Sequence, residues 1–474
     1  MTRLDLYAAD INNMTIQSHP EFLVNLFTRF NASKIVYCLT RNHELLYDVI
    51  PDDIDILVNK DQMPDIDQII RSVTGDDFLL IKRVMRNYHI QYYITSSEEL
   101  KLSINENRAA EIIQLDFVSD LQWKGIPYLK TKEALHYRVP HKDFYILDQS
   151  HHIAHVMYHA ILDKKYIKDK YASIIQSGYE EHSAGITQCT LPLLGSNLCK
   201  KITDATRAGD MQQLLSLRRS IISRIILHPL RIAKLAAFMA RKYLRILKAI
   251  LMPPGILLTA VGPDGVGKTT LLERCRLALS NCYDPMIDIY MGWKEFILPS
   301  KRILLALLKL KPSRNKHKEA NQDKESKRHS IEPPQPSWTH NLSVIHYFVD
   351  LWARYVVKIR PILARGGFVS CDRYFYDVLT QNVWLTNNSI SRWLLIMLSP
   401  SPTLTIIFTG DAATIAARKN ENTVAETEKQ IQAFRILNNE RSPVLVLEAT
   451  NDLNQNVFKT LSKIIAIANM DKIC

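Results

Sequence analysis

The sequence predicts an α/β fold: a parallel sheet flanked by helices in the C-terminal half, an α+β arrangement in the first third, and a helical stretch between them. Three observations carry this. Five short apolar runs, Ile256–Val261, Met286–Met291, Phe368–Cys371, Leu404–Phe408 and Val444–Leu447, are separated by helix-length stretches. A glycine-rich segment joins the first of these runs to a helix beginning at Leu271. In the first third, strand-like runs stand at Ile35–Leu39, Ile54–Val58 and Ile112–Val118, and the last two carry acids among apolar residues.

At 474 residues the chain has room for two or three domains, each with its own core. The boundaries expected are 1–140, 141–253 and 254–474. Composition is that of a globular protein, 47% hydrophobic and 23% charged, and a net charge of +12 points to an anionic partner. Seven scattered cysteines, none in a C-x-x-C pair, read as reduced thiols and exclude a zinc framework or a disulfide scaffold. The first residues lack the apolar stretch of a signal peptide, and no apolar run approaches the ~20 residues that span a bilayer. The expected location is cytoplasmic, with a peripheral place on the inner face of the membrane left open by the basic stretch described below.

In Gly262-Pro263-Asp264-Gly265-Val266-Gly267-Lys268-Thr269-Thr270, three glycines clear side chains away so that backbone N–H groups can cradle phosphate oxygens. Lys268 supplies a mobile positive charge for the terminal phosphates, and the Thr269 hydroxyl is placed for Mg²⁺. The following helix points its positive end at the same place. The expected ligands are therefore ATP and Mg²⁺.

In the first third, Pro51-Asp52-Asp53-Ile54-Asp55-Ile56-Leu57-Val58 alternates acids with apolar residues, which puts Asp53 and Asp55 on one strand face. Ile112–Val118 brings a single acid, Asp116. Three such acids either converge on divalent metal or form a solvated strand face and turn. The D-x-D with a later acid on a strand resembles the nucleotidyltransferase domain of the polymerase-beta superfamily. That resemblance implies metal binding by Asp53, Asp55 and Asp116 and clamping of a nucleoside triphosphate. The glycine pair that seats the triphosphate there is replaced by Leu39-Thr40-Arg41-Asn42.

In the middle, His151, His155 and His159 lie four apart on one helical face. No H-E-x-x-H pattern accompanies them, so they read as half-exposed helix histidines, not as metal ligands. From Met211 to Pro254 there is no acidic residue, whereas nine lysines and arginines are interspersed with Ile, Leu, Phe and Ala. Such a stretch either lies on an anionic membrane surface through 211–250 or packs as an interdomain helix with its basic face in water. Few aromatics accompany the charges, and nucleic acid is not an expected partner.

In the C-terminal third, residues 310–340 are polar, charged and proline-containing and read as a mobile insertion. The run Phe368–Cys371 leads into Asp372 at the end of the sheet that faces the glycine loop, where an acid organises Mg²⁺. The glycine loop with Asp264, together with Asp372-Arg373-Tyr374, resembles thymidylate kinases and the wider nucleoside-monophosphate kinase group. That resemblance covers about 254–473. It implies that Asp264 faces the acceptor sugar, that Arg373 holds the acceptor phosphate beside Tyr374, that Arg354 contacts the acceptor base, and that Arg418 begins a lid over ATP. The segments Met291-Gly292-Trp293-Lys294-Glu295 and Phe375-Tyr376-Asp377-Val378 depart from that group, so thymidylate itself does not follow.

Proteins combining two such modules resemble ones associated with bacterial surface-polysaccharide synthesis. The activity expected is phosphoryl transfer from Mg²⁺-ATP to a nucleoside monophosphate or related acceptor. Lys268, Asp372, Arg373 and Arg418 are its catalytic groups, and a homodimer is an expected assembly. Two alternatives stand beside it: nucleotidyl transfer at Asp53, Asp55 and Asp116, and a membrane-associated module that binds ATP without turnover.

Overall fold

The computed structural model describes residues 19–470 except 45, 49–52, 76, 87–88, 293–296, 299–337, 377–392, 394–395, 419–422 and 436–441. Asp377, the segment 293–295 and nearly all of the expected insertion lie outside the described residues. The chain forms two compact units. One comprises Met1–Leu102, Glu111–Leu247 and Ala468–Cys474; the other comprises Ser103–Ala110 and Lys248–Ile467.

Unit 1 is built on a seven-stranded mixed sheet. Its strands are β1 (Tyr37–Leu39), β2 (Ile54–Val58), β3 (Phe78–Arg86), β4 (His89–Ser96) and β5 (Ile113–Val118), with β8 (Val139–His141) and β9 (Phe144–Ile146). A separate hairpin pairs β6 (Gln122–Trp123) with β7 (Ile126–Pro127). The large sheet runs β3-β4-β5-β2-β1-β9-β8, and β2 and β5 pair in parallel at its centre.

Strand periodicity divides the apolar side chains between two cores. Tyr37, Leu39, Ile54, Ile56 and Val58 pack with the helix over 19–32 and with α1 (Met63–Val73). Cys38 and Leu57 pack on the opposite face with α2 (Gln149–Tyr158), α3 (Asp169–Arg207) and the short helices up to Ile225. The helical middle therefore shares a core with the sheet, and residue 140 marks no break in packing. The basic stretch ends in α4 (Pro229–Leu251), in which no residue is buried.

Unit 2 is a five-stranded parallel sheet in the order β11-β12-β10-β13-β14. The strands are β10 (Ile256–Val261), β11 (Met286–Tyr290), β12 (Phe368–Asp372), β13 (Leu404–Thr409) and β14 (Val444–Glu448). All six residues of β10 are buried, as expected of a central strand covered on both faces. The helices used below are α5 (Lys268–Ala278), α6 (Trp338–Arg354) and α7 (Leu453–Met470). Because β10 lies between β12 and β13, the chain leaves it at the point where strand order reverses, which is where open parallel sheets gather their ligands.

Candidate functional site

Register brings the expected residues of unit 2 together. Ala260 of β10 is paired with Asp372 of β12, so the loop leaving β10 rises directly beside the end of β12. The loop geometry rests on glycine where side chains are excluded. Gly265 and Gly267 take left-handed conformations, with φ of +88° and +93°. A Cβ at Gly262 would stand 2.9 Å from Cβ of Phe408.

Lys268, the first residue of α5, is buried. Its ammonium donates to the carbonyls of Gly262 (3.0 Å) and Pro263 (2.7 Å) and lies 3.6 Å from Asp264. Charge-assisted donation to the loop's own backbone draws the loop closed around it. The Thr269 hydroxyl donates to Asp372 Oδ2 at 2.5 Å. The other Asp372 oxygen, Oδ1, is buried and has no hydrogen-bond partner among the described residues. A buried carboxylate oxygen without a donor is costly, and a cation relieves it. The pair Thr269 and Asp372 therefore fits a divalent ion such as Mg²⁺, a hard cation that takes oxygen ligands.

Arg373 follows with φ +66°, a conformation that costs a non-glycine residue about 1–3 kcal/mol. Its backbone N–H donates to Ala260 (3.1 Å), and its guanidinium donates to both oxygens of Asp264, at 2.8 and 3.0 Å. The strained backbone thus aims Arg373 at the glycine loop.

Three expected residues sit elsewhere. Tyr374 is fully buried, its hydroxyl donates to the Pro400 carbonyl at 2.7 Å, and burial pushes it well above the ordinary tyrosine range. It packs in the core of unit 2. Arg354 is also fully buried: it donates to Asp350 at 2.8 Å and to the Gly292 carbonyl at 3.0 Å, while Asp350 accepts from the N–H groups of Ile297 and Leu298. This buried pair ties α6 to the chain after β11. Arg418 is exposed and donates to the Ala449 carbonyl at 3.0 Å, just past the end of β14. The residues that would continue it as a lid, 419–422, lie outside the described ones.

In unit 1 the three acids do converge. Asp55 and Asp116 are paired across β2 and β5, and carboxylate oxygens of Asp53, Asp55 and Asp116 lie within 4.8 Å of one another. Asp55 and Asp116 have close side-chain partners. Arg41 donates through Nε to Asp55 at 2.9 Å and closely through Nη2, and lies 4.0 Å from Asp53. Asp116 accepts from Gln91 at both oxygens (3.1 Å) and from Gln114 (3.1 Å), with His89 Nε2 at 3.2 Å. The trio is thus close enough to share a divalent cation, with the Arg41 guanidinium bound to Asp55 at its edge. Neither the exposed-acid reading nor the metal reading anticipated Arg41 as the counter-charge. The signal was present in the sequence: an arginine occupied the place of the expected glycine pair.

The histidines also differ from expectation. His151, His152 and His155 are buried, not half-exposed. Asp148 caps α2 by accepting from the N–H groups of Ser150 and His151, and its other oxygen meets His151 Nδ1 at 2.5 Å. Burial pulls His151 down, but the hydrogen bonds to Asp148 and Cys189 outweigh it and hold the ring at about 9. Burial, with His43 and Arg41 nearby, lowers His152 to about 4; His155, against the Tyr128 hydroxyl at 3.0 Å, is also held low by burial.

No protein-family model matches the sequence, and no curated protein matches it. Among solved structures, the chain is similar to a thymidylate kinase from Ehrlichia chaffeensis. It is 15% identical over 45% of this chain and 100% of that one, with a TM-score of 0.28.

Proposed function

We propose that unit 2 transfers a phosphoryl group from ATP to an acceptor oxygen, with a nucleoside monophosphate or a related phosphorylated compound as the acceptor. One observation carries this reading: the glycine loop, the buried Lys268 and the Thr269–Asp372 pair are assembled at the end of adjacent parallel strands, beside a buried carboxylate oxygen that has no hydrogen-bond partner among the described residues. Loop N–H groups and the positive end of α5 bind the donor phosphates. Lys268 exchanges its two carbonyl partners for phosphate oxygens and stabilises charge that builds up on the transferred group. Thr269 and Asp372 would hold Mg²⁺, which would neutralise charge on the donor phosphates. Arg373 leaves Asp264 to bind an anionic acceptor bidentately, and freed Asp264 accepts from an acceptor hydroxyl. Catalysis on this reading is positioning and charge neutralisation, with no covalent intermediate.

The test is transfer of label from γ-labelled ATP to a panel of nucleoside monophosphates, sugars and lipid-linked glycans. The last two cover the setting of surface-polysaccharide synthesis suggested by the pairing of modules. Lys268→Ala is expected to lower transfer about 10²–10³-fold, as loss of one preorganised charge donor does. Equal transfer by wild type and Lys268→Ala would sink the reading. ATP binding with no acceptor labelled anywhere in the panel would favour a binding module instead.

A further inference from the structure

The helix α4 is built in a way that neither core explains. Over 23 residues it buries no side chain, yet it is rich in leucine and isoleucine. At 100° per residue its side chains fall into three sectors. Ile232, Ala236, Tyr243, Leu247 and Ile250 share one side, with Leu244 and Leu251 at its margin, and all of these are exposed. Tyr243 is 63%, Leu244 65% and Leu251 65% exposed. Lys234, Arg241, Arg245 and Lys248 share the opposite side.

Between these sectors runs a half-buried line of Arg231, Leu235, Phe238, Met239 and Ala249, and this is where the helix is anchored. Gly125, in the turn between β6 and β7, makes the anchoring possible. With φ +85° and no side chain, it lets the helix come so close that a Cβ there would meet Phe238 at 2.9 Å and the Lys234 carbonyl at 3.2 Å. Arg231 adds hydrogen bonds of 3.4 Å to the carbonyls of Arg224 and Pro192. The helix is therefore fixed along one edge while its apolar side is presented outward.

We infer that α4 docks the protein on the surface of an anionic phospholipid bilayer, lying in the plane of the interface. The exposed aliphatic side enters the headgroup–acyl boundary, and the exposed Lys234, Arg241 and Lys248 of the polar side reach lipid phosphates at the headgroup level through their long side chains. Charge selects this occupant. From Met211 to Pro254 there are nine basic residues and no acid. A second copy packed on the same face would bring two such stretches together with no carboxylate on either to match them. A nucleic acid would satisfy the cations and leave a row of isoleucines and leucines without a partner. No helix among the described residues is long and apolar enough to cross a membrane. The attachment is therefore one that lies on a surface, reversible and dependent on salt.

The test uses the full chain and co-sedimentation with vesicles of phosphatidylcholine alone and of phosphatidylcholine mixed with phosphatidylglycerol. Binding to the mixed vesicles, weakened by salt and absent from the neutral ones, is expected. Neutralising two exposed cations, Arg241→Gln with Lys248→Gln, should weaken binding about 30-fold, at about 1 kcal/mol for each charge at an anionic surface. Leu244→Gln with Leu247→Gln should remove binding while leaving the unfolding midpoint in place, because both side chains are already in water. Absence of sedimentation with anionic vesicles overturns the proposal. So does equal binding to both vesicle types, a dimer abolished by the two leucine substitutions, or displacement of the protein from vesicles only by RNA.

Discussion

Replacing Arg41 with methionine is the sharpest perturbation of unit 1. Arg41 and Asp55 are both mostly buried, with side chains 14% exposed, and the three acids around them lie within 4.8 Å of one another. At that separation and an effective dielectric near 20, each pair of like charges repels by about 3 kcal/mol. Removing the guanidinium leaves this repulsion uncompensated, in the range of about 3–5 kcal/mol seen when one partner of a buried pair is deleted. Chemical denaturation of Arg41→Met should therefore show a loss of about 3 kcal/mol, close to the low end of that range.

Two changes should rescue Arg41→Met. Adding Asp55→Asn removes the stranded charge, so the double variant should be more stable than Arg41→Met alone. Mn²⁺ should also stabilise Arg41→Met, by about 2.7 kcal/mol at a hundred times its dissociation constant. Adding Asp55→Asn should abolish the Mn²⁺ effect, which locates it in this cluster and not at Asp372. If Arg41→Met is within 1 kcal/mol of wild type, or Asp55→Asn adds to its loss, the counter-charge reasoning fails.

Other outcomes follow from the same kind of reasoning. Arg354→Met leaves Asp350 charged in the core and should destabilise unit 2 by about 3–5 kcal/mol, read by denaturation at low temperature. The KM for an acceptor should not change in the protein that remains folded; a raised KM with stability intact would restore Arg354 to the acceptor site. Unit 1 should be most stable near pH 6.5. His152, held at about 4, and His155, also lowered, bind fewer protons folded than unfolded, so their stabilisation is present above pH 6.5 and is lost as pH falls toward 4. His151, held at about 9, binds more protons when folded, so its contribution is present below pH 6.5 and is lost as pH rises through 9. Unfolding midpoints measured across this range should show His151→Asn flattening only the alkaline limb.

Local pattern alone determined much of this protein. The five strands of unit 2, the glycine turn and the acid at the end of β12 are legible because apolar runs, left-handed turns and strand ends leave marks within a few residues. The convergence of Asp53, Asp55 and Asp116 was also legible, since alternation in a strand fixes which side each residue takes. Tertiary structure decided what surrounds these residues. Arg354 and Tyr374 lie in stretches where the sequence places a site, yet packing of α6 and β12 turned both into the core. Arg41 reads in sequence only as a missing glycine pair; the antiparallel pairing of β1 with β2 set it beside Asp55. Amphipathicity in α4 is plain from the sequence, but periodicity is the same whether the apolar side meets a core or a lipid. Only the close approach at Gly125, which anchors the helix by its edge, showed that the apolar side faces outward.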